Sequence, residues 1–297
     1  MSNLKEVRIR IASVTSTQQI TSAMKLVSAS KLKRAQDAIL KLRPYSAKLD
    51  ELLESLVVSL GNDVQEEIVF AKQRPVKKVL FVVITSNRGL CGAFNANVIK
   101  RTLALIEENY SQQAAAGNVH ILSIGRKSSE FFAKKHFKML DTHNELFDKL
   151  AYGNVAPVAE MVMDYFVSNV YDRVEIVYNQ FKNAAVQILT NEQFLPVKMV
   201  DIKEVKDKDR NADYIFEPDK TIVLQEIIPK ILKVKFYKAL LDSYAAEHGA
   251  RMTSMHKATD NATELLNVLK QSYNKARQAA ITNEILEIVG GAEALKS

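Results

Sequence analysis

Two stretches at the ends of this chain carry apolar residues at three- and four-residue steps over lengths that no ordinary surface helix needs. The first runs Leu4, Val7, Ile11, Val14, then Met24, Val27, Leu32, Ala35, Ile39, Leu42, Tyr45, Leu49, Leu52, Leu56 and Leu60. The second runs Leu241, Tyr244, Met252, Met255, Ala262, Leu266, Leu269, Tyr273, Ala276, Ala280 and Leu286. Such steps mark a helix with one apolar stripe. At the helical rise per residue, 4–60 spans roughly 80 Å and 229–289 on the order of 90 Å. Pro44 removes a backbone donor and predicts a bend or joint. Gly290-Gly291 predicts a stop. The first stripe thins at "TSTQQ", 15–19, where every side chain is polar. A helix gains little stability without packing, so neither end can stand alone. The economical arrangement pairs the two ends as an antiparallel coiled coil, with everything between them forming a compact body. Homodimerisation through the same stripes is the competing arrangement, and spacing leaves both open.

Between the ends the pattern changes to apolar runs of strand length alternating with helical stretches. Strands are predicted at 77–85, 119–124, 173–181 and 186–195, and helices at 96–108, 127–135 and 157–170, with Pro157 in the first turn of the last. This alternation predicts an α/β fold whose mostly parallel sheet is covered by helices on both faces. The polar stretch 201–219 reads as the return to the C-terminal helix. The expected division is 1–60, N-terminal coiled-coil helix; 61–219, Rossmann-like α/β domain with its return connection; and 220–297, C-terminal coiled-coil helix.

At 297 residues and 47% apolar content, the chain has material for a sizeable core. No run approaches the roughly 18 uncharged apolar residues of a membrane span. The start, "MSNLKE", has no apolar signal region, and the one cysteine, Cys91, excludes an internal disulfide; together these predict a cytoplasmic address. The net charge is +7, and Arg8, Arg10, Lys25, Lys31, Lys33 and Arg34 occur with no acid between Glu6 and Asp37. That basic face is either a solvated surface or the complement of an acidic partner: nucleic acid, an anionic membrane surface or an acidic protein loop.

Residues 84–95, "ITSNRGLCGAFN", follow an apolar strand and precede a helix, the position where α/β proteins often hold a phosphate. A Walker loop needs GK[ST], but Gly89 and Gly92 are followed by Ala93-Phe94-Asn95. A dinucleotide fingerprint needs a third glycine and an acid after the next strand, but the chain has Gly125-Arg126-Lys127 there. The stretch therefore reads as a tight strand-to-helix turn. Cys91 near a helix start has thiolate geometry, but His120, His136, His143, His248 and His256 are scattered and supply no evident base. It reads as a small buried thiol. No histidine or carboxylate spacing matches a metal site, and Glu66-Glu67 and Glu107-Glu108 read as solvent-facing. No catalytic, cofactor or metal residue is assigned. The second terminal stretch is rich in Ala, Thr, Ser, Asn and Gln, which predicts close packing with few sticky patches, as suits a shaft turning in a sleeve.

The strings "AMKLVSASKLKRAQ", "ITSNRGLCGAFN", "RMTSMHKATDNA" and "YNKARQAAITNEILEIVGGAEAL" cover both ends and the glycine turn. In them the sequence closely resembles the gamma subunits of F-type ATP synthases, of the bacterial type. The resemblance implies a central rotor shaft: an antiparallel coiled coil inside a ring of three alpha and three beta subunits. A Rossmann-like body sits below it, near the epsilon subunit and the membrane ring of c subunits. It implies no catalysis by the chain itself, with ATP made or hydrolysed on beta and coupled to ion flow. It implies beta contacts at Met24, Lys25 and Arg251, with a latch at Arg277, Gln278, Thr282 and Glu284, and a c-ring foot at Phe216 and Glu217. It implies no cofactor, no nucleic acid, and peripheral attachment to the cytoplasmic face of the inner membrane through the complex. The chloroplast members' regulatory cysteine pair is missing here. Two rival readings remain: a basic coiled-coil protein binding nucleic acid, with strong salt dependence, and an α/β enzyme with a helical oligomerisation arm and a pocket near 89–95.

Overall fold

The computed structural model describes residues 4–60, 69–197 and 220–294. Both ends are single helices, α1 (Leu4–Leu60) and α6 (Lys220–Ala294). The helix α1 continues through Pro44, and α6 begins before Pro229 and runs on through Gly290-Gly291. The predicted start and stop of the second helix are therefore corrected. Pro229 removes one donor, but Ile228, Ile231 and Leu232 beside it are at most 2% exposed, so packing holds the helix together there. Glycine costs a helix only about 1 kcal/mol relative to alanine and ends one only where a cap takes over. The chain divides into two compact units, residues 30–250 and residues 1–29 with 251–297.

The first unit is built on a sheet. Its strands are β1 (Val79–Ile84), β2 (Val119–Ile124), β3 (Lys138–Thr142), β4 (Arg173–Phe181) and β5 (Gln187–Leu195), in the order β3-β2-β1-β4-β5. All pairings are parallel except β4 with β5. Val79 faces Val119 on one side and Arg173 on the other, so the central strand is apolar throughout and fully buried. Because side chains alternate, Leu80, Val82 and Ile84 face one layer and Val79, Phe81 and Val83 the other. The first layer holds α5 (Tyr152–Val167) and the inner part of α6; the second holds α2 (Phe94–Asn109) and α4 (Arg126–Lys134). A short helix, α3 (Ser111–Ala115), and a 3₁₀ turn at Asn144–Phe147 complete the connections.

Three local readings change. The helix α5 starts at Tyr152, so Pro157 is its sixth residue rather than part of its first turn. The lost hydrogen bond is one, to Gly153, and Val155 and Ala159 around it are fully buried. The edge strand β3, "KMLDT", was absent from the sequence reading, because a short edge strand with two charges and no fully buried residue carries no alternation signal. The segment 201–219 lies outside the described residues.

The second unit is the pair of chain ends. Arg8 Nη2 donates to Tyr273 Oη (3.2 Å), Gln18 Nε2 to Thr263 Oγ1 (2.7 Å), and Thr259 Oγ1 to Thr21 Oγ1 (2.9 Å). As the first partner climbs the chain the second descends, so the two helices are antiparallel. Residues shielded from solvent in α6 recur at Met255, Thr259, Ala262, Leu266, Leu269, Tyr273 and Ala276, alternating steps of four and three. The same alternation in α1 runs Leu4, Val7, Ile11, Val14, Gln18, Thr21, Lys25 and Ser28. That is a heptad seam. Val27, assigned to the stripe by spacing, is instead 58% exposed, and Ser28 at 2% takes its place. A small side chain at that seam position allows close approach.

Candidate functional site

In parallel α/β sheets a ligand crevice opens outside the carboxyl ends of the strands, where the strand order reverses. Here that point lies between β1 and β4, directly at the glycine turn. The turn is braced from within. Ser86 N donates to Asn95 Oδ1 (2.9 Å), and Asn95 Nδ2 donates to Ser86 Oγ (2.8 Å) and Cys91 Sγ (3.3 Å). Asn87 ties the turn to its neighbours by donating to Asn144 O (2.7 Å) and accepting from Arg126 N (3.0 Å). Asn179 Nδ2 on β4 donates to Phe94 O (3.1 Å). The crevice itself is filled: Cys91 and Phe94 pack with Phe181 of β4 and with Ala246 and Ala250 of α6. The glycine of α6 in the same stretch, Gly249, lies so close to Ala184 that a Cβ would sit 3.2 Å from its Cα. The small residues Ala246, Gly249 and Ala250 thus let the long helix seat against the glycine turn and the end of β4. Cys91 is 1% exposed, a buried thiol. Among the described residues no group of three or more metal-type ligands converges, and no helix is long and apolar enough to cross a membrane.

Two further polar places belong to the architecture. Between α1 and α6 a cavity of about 140 Å³ is lined by Arg43, Ser46, Lys238 and Asp242. Burial pushes the Asp242 carboxyl up to about 6, against the pull of Lys238 and Arg43 and with the push of Glu192. Near the opposite end of β4, Glu175 accepts from Tyr110 Oη (2.8 Å) and Arg173 Nε (3.0 Å). Burial and that carboxylate raise the Tyr110 phenol far above its ordinary range. The Tyr110 phenol therefore keeps its proton throughout the neutral range, whereas the Asp242 carboxyl gains or loses its proton around pH 6.

The sequence-assigned contact residues fall in two places on the paired ends. Met24 and Lys25 are half-buried, and Arg251 is 6% exposed. By the register of Thr21 with Thr259, all three lie toward the same end of the pair. Arg277, Gln278, Thr282 and Glu284 are exposed and lie roughly 40 Å along α6 from Arg251. Thr282 Oγ1 donates to Gln278 O within the helix (2.9 Å). Phe216 and Glu217 lie outside the described residues. The expectation of few sticky patches is corrected here. From Arg277 to Ala292, α6 is exposed on every side, and Ile281, Ile285, Leu286, Ile288 and Val289 are 48–68% exposed. The register explains this: Tyr273 already meets Arg8, so the last turns extend past the start of α1. The spacing of these apolar residues could have flagged them.

A family model described as ATP synthase matches residues 3–295. The ATP synthase gamma chain of Flavobacterium psychrophilum is 57% identical over 100% of both chains, and that of Cytophaga hutchinsonii 52% over 100% of both. The chain belongs to the ATP synthase gamma-chain family. Among solved structures, a chain of the Euglena gracilis mitochondrial ATP synthase, seen with OSCP, F1 and c-ring, shares the fold at TM-score 0.67 and 23% identity, covering 98% of this chain and 94% of that one. The likeness spans the sheet and both terminal helices. The paired ends thus belong to a fold that the two chains share.

Proposed function

We propose that this member of the family is the central rotor shaft of an F-type ATP synthase, carrying torque between an ion-driven c ring and a head of three alpha and three beta subunits. The chain itself is non-catalytic: chemistry belongs to beta, and the epsilon subunit is a further partner. The observation that carries the reading is the end of α6. An exposed run of helix that carries five large apolar side chains past its antiparallel partner calls for a protein sleeve, since clustered exposed apolar residues mark an interface. The filled crevice supports a chain that works beside nucleotide sites without owning one. In this reading 1–60 and 220–297 act as the axle and 61–219 as the body attached to it. Met24, Lys25 and Arg251 meet beta at the neck, and Arg277, Gln278, Thr282 and Glu284 meet beta at the far end. Phe216 and Glu217 belong to the foot on the c ring. The complex holds the chain at the cytoplasmic face of the bacterial inner membrane.

The test is reconstitution. A tagged copy is co-expressed with the alpha and beta subunits of the same source, and the purified complex is assayed for ATP hydrolysis. Three alpha, three beta and one copy of this chain are expected, with multisite hydrolysis dependent on it. Truncation after Ala276 is expected to lower assembly and hydrolysis several-fold while leaving hydrogen-exchange protection of β1 and β4 unchanged, because residues 277–292 are all exposed and lie in the other compact unit. A chain that stays alone or self-associates overturns the reading.

A further inference from the structure

We propose that the groove between α2 and α4 is a docking site for an acidic amphipathic helix of a partner protein. The groove measures about 500 Å³ and lies on the sheet face opposite α5 and α6, so its occupant does not compete with the seat of the long helix. Its floor is Ile99 and Leu103 from α2 and Phe131 from α4, each half-buried. Their inner sides pack on the core formed with Val98 and Phe132, and their outer sides stay open. The floor is stiff: Phe131 stands edge-on to Phe132 at 5.4 Å, and Phe132 edge-on to Phe137 at 5.3 Å. Lysines form the rim, Lys100 on one helix and Lys127 and Lys134 on the other. Lys127 is answered by Glu130 at 3.2 Å. Lys100 and Lys134 enter no ion pair or hydrogen bond among the described residues.

The shape and charge select the partner. The lining positions on each helix follow i, i+3, i+4, i+7 spacing, so the trough is about 10 Å long, two turns of a third helix. A helix laid there would bury one apolar stripe and set flanking carboxylates against Lys100 and Lys134. Nucleic acid is disfavoured, because phosphate contacts want a continuous cationic track and base stacking wants successive exposed aromatics, whereas the floor offers one aromatic ring, Phe131, beside Ile99 and Leu103. A second copy of this chain would bring the same lysines against these.

The test uses the full chain and two labelled helical peptides of roughly 18 residues, each with a leucine stripe at i, i+3, i+4, i+7. One has glutamates flanking the stripe, and its twin has lysines. Fluorescence anisotropy should show the acidic peptide binding at least about tenfold more tightly at low salt, with the gap narrowing at high salt. Hydrogen exchange should slow at 96–103 and 127–134. The double variant Lys100→Glu, Lys134→Glu should invert the preference without lowering the unfolding midpoint, since both side chains are solvent-facing or rim residues. Equal binding of the twins, protection elsewhere on the chain, or an unchanged preference in the double variant would overturn the proposal. So would self-association that the double variant abolishes, which would assign the groove to a second copy.

Discussion

Replacing Asp242 with asparagine should stabilise the fold at neutral pH and change little near pH 4. Asp242 is 5% exposed and lines the cavity between α1 and α6. Burial raises its pKa from 3.8 to about 6, opposed by Lys238 and Arg43 and assisted by Glu192. A carboxyl with a raised folded pKa holds its proton more tightly in the fold than in the unfolded chain. Its favourable contribution is therefore complete below the unfolded value and lost as pH rises through about 6. A displacement of about two units corresponds to a ceiling of about 3 kcal/mol, and relaxation around the cavity brings the expected gain to about 1–3 kcal/mol. Asparagine keeps the shape and removes the charge. Urea unfolding of the full chain, followed by circular dichroism from about pH 4 to pH 8, reads the effect. The stability difference between variant and parent should open between about pH 4 and 6 and be flat above about pH 7. A variant less stable than its parent at pH 8 would refute the reasoning, since ionised Asp242 would then be a net favourable partner of Lys238 and Arg43. A gain independent of pH would also refute it, by placing the effect in packing rather than in the proton.

The turns give two further expectations. Gly125 has φ +115, and a Cβ there would lie 2.0 Å from Thr85 O, so Gly125→Ala should cost about 3 kcal/mol or more in urea unfolding. Gly89, with nothing within 4 Å, should accept alanine with little change, and equal costs at the two positions would contradict the geometry. Cys91, the chain's one thiol and 1% exposed, should react with an aromatic disulfide more than about 100-fold slower in the native chain than in urea. Labelling at the unfolded rate would show that the turn opens freely.

Much of the scaffold was legible because its signals are local. The strands β2 and β4 were read to the residue, since each is an apolar run bounded by polar turns. The missing GK[ST] was equally local. The strand β3 was not legible: a short polar edge strand is stabilised by pairing with β2, an interaction its own five residues do not encode. The ends of α6 were misplaced because proline and glycine shift helix propensity by a few kcal/mol at most, and the burial of Ile228 to Leu232 outweighs that at one end.

The candidate site divides in the same way. Apolar spacing named both seams and their antiparallel economy, but not the choice of Ser28 over Val27, which depends on where α6 runs. The glycine turn carries no nucleotide motif in its own residues, but its packing against Ala246 and Ala250, more than 150 residues away in the chain, is not written in them. No window of sequence holds both partners of that contact. By itself the sequence determined two long amphipathic helices and an α/β body between them, because propensity and periodicity act over a few residues. Only the tertiary structure decided that the long helix closes the crevice, that the last turns of α6 stand bare, and that Asp242 is buried against its charge. Those outcomes follow from the register between distant segments, and register is set by packing.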